Sequence, residues 1–447
     1  MSSLLLRQLV LAGVIAVVST ASWAEKLEFK QCVTAALAQN PDLTISRAQI
    51  EQAEAAVRQA AGNKLPRVNL SLTATRSNDA LNAFGLKLGQ QRVNPATDFG
   101  PVALNHPDAI NNFNSRIELL VPVYNGGMVQ SYVDTARAHV RAAQSGDEVA
   151  RQQLAKHVLM AYQGVHTARA YIKLAEEGRA AAEEYVRISD KLLRQGMVVK
   201  SDVLSAKVNL EDIKVKLVEA KNAEAAALDQ LALLMGKSLD EPLDVGEPVV
   251  PALLAGSAAD LRAQALNEHA GLRALRNQLE GAGAQVGAAR AGKKPQFNVM
   301  LRQDWNDKNL GLEASSYTVA GVLSWAAFDG GVNNATIDRA QAARAELAAK
   351  LRQAEEGIGY QVTDARRKAL EAFDKIGARE AGLEQAREAQ RLIKKRYENG
   401  MATLIELLGA QAQLDKANAD LVAARYELAV NRAELKRAVG VLSSEQI

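Results

Sequence analysis

The chain repeats itself, and this constrains its fold more than any other feature of its 447 residues. Early in each copy the offset is 229 residues: Leu43 matches Leu272, Val57 matches Val286, Pro66 matches Pro295 and Asn69 matches Asn298. Further on the offset is 204. There Tyr124-Asn125-Gly126-Gly127 matches Phe328-Asp329-Gly330-Gly331, Gly196-Met197 matches Gly400-Met401, and Gly236 matches Gly440. The difference of 25 residues is extra chain between Asn69 and Tyr124, where Asn, Asp, Gly and Pro crowd from Asn78 to Asn112. One structural plan is therefore used twice.

Proline placement says what the plan is. None of the ten prolines falls in 123–241 or 296–447. These stretches are rich in Ala, Leu, Glu, Lys and Gln, which favour helix. Each repeat reads as helix, strand, loop, strand, long helix, turn, helix, mainly α with some β. The first, 25–236, places strands at about 67–76 and 112–123, a long helix at about 128–193, a tip turn at 194–201 and a return helix at about 202–235. The second, 257–442, places strands at about 295–305 and 316–326, a long helix at about 332–397, a tip turn at 398–403 and a return helix at about 404–439. Residues 237–256, with Pro242, Pro248 and Pro251, read as a linker, and 443–447 as a tail.

The return helices carry a seven-residue seam. Leu407, Leu414, Leu421, Leu428, Leu435 and Leu442 recur with Ala410, Ala417, Ala424 and Ala438 between them. Val203, Ala206, Leu210, Ile213, Leu217, Leu231 and Leu234 do the same in the first repeat. This spacing is a left-handed coiled-coil seam, equally suited to a hairpin without a pore. Each long helix would span ~99 Å and each return helix only ~51 Å. A short helix, 43–62 or 272–291, stacked end to end on each return helix makes up the difference. Each repeat is then two rods, which suits a chain with only 4% aromatic residues.

Residues 1–24 read as a signal peptide. Arg7 precedes an apolar stretch from Leu9 to Val18, and Ser22 and Ala24 are the small residues before the cut. No later segment has the ~18 continuous apolar residues of a spanning helix. The strands, however, alternate. Val68, Leu70 and Leu72 stand against Asn69, Ser71 and Thr73; Ile117, Leu119 and Val121 against Arg116 and Glu118. Phe297, Val299 and Leu301 stand against Asn298 and Arg302; Tyr317, Val319 and Leu323 against Thr318 and Ser324. Trp305, Tyr317 and Trp325 fall near strand ends, where membrane barrels place aromatic girdles. The strands lie in two separated hairpins. They either cover a soluble core or face lipid. Four strands cannot close a barrel, and lipid does not tolerate open edges, so the second reading needs several chains per barrel.

Other classes are excluded by composition. A net charge of +3 gives no support to nucleic-acid binding. One cysteine, Cys32, rules out an internal disulfide or a Cys-rich metal site. His157 and His166 lie nine apart, off a common helical face, and read as surface or packing residues. There is no phosphate loop, nucleophile elbow or acid/base pair, so no enzyme activity and no cofactor or metal is expected.

The ordered pairs of motifs resemble the TolC-like outer-membrane efflux protein family over essentially all of 25–442. They are the two Gly-Gly motifs, the turns Arg194-Gln195-Gly196-Met197 to Asp202 and Arg396-Tyr397-Glu398-Asn399-Gly400-Met401 to Glu406, and the opening from Leu27 to Pro41. The resemblance implies a homotrimer forming a 12-stranded outer-membrane β-barrel continued by a periplasmic α-helical coiled-coil barrel. It implies a passive exit channel of a tripartite efflux or type I secretion system, in contact with outer-membrane lipid, a periplasmic adaptor and an inner-membrane transporter. The alternative is a soluble periplasmic coiled-coil adaptor or scaffold. Gly196, Met197, Gly400 and Met401 would contact the adaptor, or serve as plain turn chemistry. Tyr397 and Asp202 would pair to hold the tip shut. The arginine usual two residues after the second turn glycine is Ala402 here, and one common acidic-ring position is Gly409. Glu406 would either face the lumen as a gate residue or only cap its helix through Thr403. Asn125 and Asp329, with Gly126, Gly127, Gly330 and Gly331, would turn strand into helix.

Overall fold

The computed structural model describes residues 26–443; the segment 1–24 expected to be a signal peptide and residues 444–447 of the expected tail lie outside them. In chain order the elements are β1 (Lys26–Leu27), α1 (Phe29–Gln39), α2 (Pro41–Gly62), β2 (Arg67–Ser77), α3 (Ala80–Gly89), α4 (Pro95–Asp98) and α5 (Pro101–Asn105). There follow β3 (Ile110–Tyr124), α6 (Met128–Arg194), α7 (Lys200–Met235), β4 (Asp244–Val245), α8 (Ala258–Glu268) and α9 (Ala270–Ala291). The chain closes with β5 (Gln296–Asp307), β6 (Ala314–Ser324), α10 (Val332–Glu398) and α11 (Leu404–Val439). Among the described residues no helix is long and apolar enough to cross a membrane.

The helices form four rods side by side. α6 and α10 are continuous, 67 residues each. α2 and α7 both flank α6, and α9 and α11 lie between α6 and α10. Each pair stacks end to end, and the two joins are built alike. Asn40 caps α2 by accepting from the Asp42 amide (2.8 Å) and donates to the Leu234 carbonyl at the end of α7 (2.9 Å). His269 caps α9 by accepting from the Gly271 amide (3.1 Å) beside the end of α11. Gly236 and Gly440 close α7 and α11 in left-handed conformation. A Cβ at Gly236 would stand 2.9 Å from the Gln39 carbonyl oxygen, and one at Gly440 2.8 Å from the His269 Cα. Only glycine meets both the positive φ and the backbone contact. The seam residues Ala206, Ile213, Leu217, Leu407, Leu428 and Leu435 are buried along these pairs.

A belt surrounds the middle of the rods. α1 packs on α6 and α7, and α8 packs on α10 and α11, a further pair of the repeat that the sequence reading had not separated. Phe29, Cys32, Val33 and Ala36 join Leu154, Val158, Leu159, Tyr162 and Val165 of α6 in one core. The segment 237–256, expected as a linker, is a packed strap. Its β4 pairs in parallel with β1. Tyr162 donates to the Glu247 carbonyl (3.0 Å), Gln163 to the Val249 carbonyl, and Arg169 bridges Asp244 (2.5 Å) and Glu224 (2.7 Å). Buried main-chain carbonyls need such partners, and α6 supplies them.

The four long strands form one antiparallel sheet in the order β2-β3-β5-β6. The two hairpins are therefore not separate: β3 pairs with β5 from Phe113↔Asp307 to Tyr124↔Phe297, and the repeats share a continuous wall. The register unites their faces. Val68, Leu119, Leu301 and Val319 are successive partners, as are Leu70 with Ile117 and Val299 with Gly321. This gives one apolar face. Asn69, Glu118, Arg302 and Thr318 line up on the other.

Candidate functional site

The rods end in two turns at one tip. Both use the same closure. After α6 the Gly196 amide donates to the Leu193 carbonyl and the Met197 amide to the Leu192 carbonyl, each at 3.0 Å. After α10 the Gly400 amide donates to Tyr397 (2.9 Å) and the Met401 amide to Arg396 (2.8 Å). These are paired 5→2 and 6→1 bonds around a left-handed glycine, φ +74° at Gly196 and +69° at Gly400. The turns touch: a Cβ added at Gly400 would strike the Met197 methyl. Met197, Val199, Met401 and Ile405 are exposed around them.

Beneath the turns all four rods meet. Tyr185, Ile188 and Leu192 of α6, Ala206 of α7, Tyr397 of α10, and Leu404 and Leu407 of α11 form one apolar core. The expected pairing of Tyr397 with Asp202 is not made. Tyr397 is 0% exposed, and its hydroxyl shares a 2.7 Å hydrogen bond with the Ser189 hydroxyl of α6. Burial raises its pKa, with a smaller upward push from the Asp202 charge. Asp202 is in the first turn of α7, where its charge suits the helix dipole. Ser189 thus holds the tyrosine hydroxyl across the interface of α6 and α10.

One turn up, Tyr185 repeats the theme. Its hydroxyl donates to Gln411 Oε1 of α11 (2.6 Å) and accepts from Gln390 of α10. Gln411 in turn donates to Asp415 Oδ1 (2.8 Å). Burial pushes Tyr185 up to about 12 and raises Asp415 also. Sequence reasoning missed Tyr185, Ser189, Gln390 and Gln411. One signal was available: they break the repeat. Tyr185 matches Ala389, Ser189 matches Ile393, Tyr397 matches Leu193 and Gln411 matches Lys207.

Glu406 caps its helix. It closes a capping box with Thr403: the Thr403 amide donates to its carboxylate (2.6 Å) and the Glu406 amide to the Thr403 hydroxyl (3.2 Å). The Thr403 amide is the main cause of its lowered pKa. Ala402 is partly buried against the tip core, and the exposed Arg396 donates to the Met401 carbonyl (3.1 Å).

At the far end of the long helices the Gly-Gly motifs act alike. Gly126, Gly127, Gly330 and Gly331 all have positive φ. Asp329 accepts from the Asn333 and Gly331 amides (2.8 and 2.9 Å), and Asn125 accepts more weakly from the Val129 amide (3.4 Å). Beyond them the sheet leaves Leu70, Leu301, Val319 and Leu323 of its apolar face exposed, Leu70 to 74%. Its other face is a polar network. Arg116 pairs with Asp304 (2.7 Å), Asn114 donates to Asp304 and Asn306 (3.1 Å each), and Asn112 donates to Asn306 (2.9 Å). Trp305 and Tyr317 lie toward one end of the sheet, and Trp325 at the other donates to the Lys293 carbonyl (3.1 Å). No group of acids, histidines or cysteines that could hold a metal occurs among the described residues.

Comparison with known proteins agrees with this geometry. The model of a family described as "Outer membrane efflux protein" matches residues 32–237 and 261–441. The chain is 22% identical to the outer membrane protein TolC of Vibrio cholerae, over 98% of this chain and 96% of that one. It is 27% identical to protein CyaE of Bordetella pertussis, over 75% of this chain and 71% of that one. Among solved structures, the outer membrane protein VceC of Vibrio cholerae superposes with a TM-score of 0.76 at 19% identity, covering 92% of this chain and 96% of that one. With the family model spanning both repeats, the chain belongs to the outer membrane efflux protein family.

Proposed function

We propose that three copies of this chain close one 12-stranded barrel in the outer membrane and continue it as a twelve-rod helical tunnel in the periplasm, forming a passive exit conduit. The observation that carries this is the sheet: an apolar face turned outward on four strands whose outer members, β2 and β6, have no further partner among the described residues. Every backbone group in lipid must be paired, and the smallest membrane barrels have about eight strands. A ring of copies meets both demands. The rods support the same ring. Their edges expose Val208, Val215 and Val218 on α7, and Tyr360 and Phe373 on α10, apolar surface that a head-to-tail neighbour would cover.

The cargo would enter at the tip from an inner-membrane transporter through a periplasmic adaptor. The exposed Met197, Met401 and Ile405 around Gly196 and Gly400 are the surface such an adaptor would meet. The family model is described by efflux, and one relative, AprF of Pseudomonas aeruginosa, is named for alkaline protease secretion, so efflux and protein secretion are both open to this conduit. A soluble adaptor would have no use for the exterior apolar face. The test is mass in mild detergent. A trimer is expected from light scattering; a stable monomer or dimer would overturn the shared barrel.

A further inference from the structure

We propose that residues 78–109 form a fixed lid over the outer mouth of the conduit, a second constriction at the end opposite the tip. This rests on the reading of the polar sheet face as lumenal. The extra chain of the first repeat leaves from β2 at one edge of the sheet, yet it crosses the polar face. α3 packs on β3. Gln90 donates to the Asn111 carbonyl (2.7 Å) and to Asn112 Oδ1 (2.9 Å). Gln91 reaches the Ser315 carbonyl of β6 (3.4 Å), and Gly89 stands over Asn306 of β5. Gln90 of the lid and Asn112 of the polar sheet face bury each other, at 4% and 3% exposed. They begin the network that continues through Asn306, Asn114 and Asp304 to Arg116, so the lid is tied to the inner wall.

The lid has its own fold. Phe84 and Phe99 meet edge to face at 5.6 Å, and Asp98 joins Lys87 (2.9 Å) to the Asn94 amide (2.8 Å). Gln91 is the one described non-glycine residue with positive φ, +59°, and it stands at the left-handed position closing α3. A glycine would sit there without strain. A glutamine held in that conformation points to a use for its side chain, and the bond across to β6 supplies one. A loop lying free in the external medium would need neither the strained anchor nor the buried amides.

The test uses cells carrying Asn69→Cys on the polar face, treated from outside with a sulfonated maleimide and with the same maleimide on a polyethylene glycol chain. Native Cys32 is buried and gives the background. The small reagent should label Asn69→Cys and the polymer reagent should label it slowly. Gln90→Ala with Gln91→Gly should raise the polymer rate about 10-fold by removing the anchoring bonds. Equal polymer rates with the lid anchored and released would overturn the lid. Leu70→Cys, next door on the apolar face, should resist both reagents. Labelling there as fast as at Asn69→Cys would overturn the lumenal reading instead. A Gly89→Cys, Asn306→Cys pair gives a check that does not depend on the released variant. A Cβ at Gly89 lies 4.0 Å from the Asn306 Cβ, within disulfide reach. A cross-link in the assembled trimer is expected, and its absence in a folded trimer would overturn the proposal.

Discussion

The first and second hairpin tips share a backbone and differ in the side chains that hold it. Both close α6 and α10 with a left-handed glycine, the same pair of hydrogen bonds and a methionine. Yet α7 starts at Val199 with no side-chain cap, whereas α11 starts at Thr403 with a complete capping box. Tyr397 fills the core where the first repeat has Leu193, and it is bonded across to Ser189. The second hairpin is thus fastened to the long helix of the first by hydroxyl and amide groups, and the first has no matching set. A repeat supplies two equal scaffolds; the unequal residues tie α10 and α11 to α6 and leave α7 out of the set.

The largest effect should come from emptying the site of the buried ring. Tyr397→Ala should destabilise the tip by about 3–5 kcal/mol, the range for losing a buried aromatic. Leu193→Ala, at the partly buried matching position, should cost clearly less. Hydrogen exchange of amides near 397–405 in the detergent-solubilised protein would measure both, and equal losses would remove the asymmetry. Next come the caps. Thr403→Ala should cost about 1 kcal/mol, and Val199→Thr should recover part of that amount in the first hairpin. Thermal unfolding reads the pair, and no gain from Val199→Thr would show that α7 is satisfied as it stands.

Ser189→Ala or Tyr397→Phe should cost about 0.5–1.5 kcal/mol, one buried hydrogen bond. Asp202→Ala should leave the tip nearly unchanged, because the tyrosine does not depend on it. Conductance in planar bilayers gives the functional reading: Ser189→Ala should raise it more than Asp202→Ala, and the reverse order would restore the tyrosine–carboxylate latch.

The smallest effects are in pH. Burial raises the pKa of Asp415, so the folded tip holds this proton where the unfolded chain has lost it. Its contribution therefore falls as pH climbs from the ordinary carboxylate value through the raised one. Glu406 has the opposite sign. Its pKa is lowered, so its cap is present above the unfolded value and is lost as pH falls through the folded one. Asp415→Asn should stabilise the tip at neutral pH and flatten the first slope. Glu406→Gln should reduce the second while keeping the capping box. Melting temperature against pH separates them, and slopes unchanged by either substitution would sink the assignment.

Much of this was open to reading in one dimension because it depends on local rules. Proline-free runs with helix-forming composition set α6 and α10, and the glycines at 196, 236, 400 and 440 set their ends and those of α7 and α11. Period-two alternation set the apolar and polar faces of β2, β3, β5 and β6, and the doubled pattern implied a pseudo-symmetric pair. What the sequence could not show is which distant groups meet. A hydroxyl on a seam position bonds to whichever partner the packing places within about 3 Å, and here that partner is Ser189, 208 residues from Tyr397. The joining of β3 to β5, the seating of 237–256 on α6 and the bonding of Gln90 to Asn111 and Asn112 on the polar sheet face are contacts of the same kind. Periodicity gives the direction of a side chain from its own element, but only tertiary packing decides what stands opposite it.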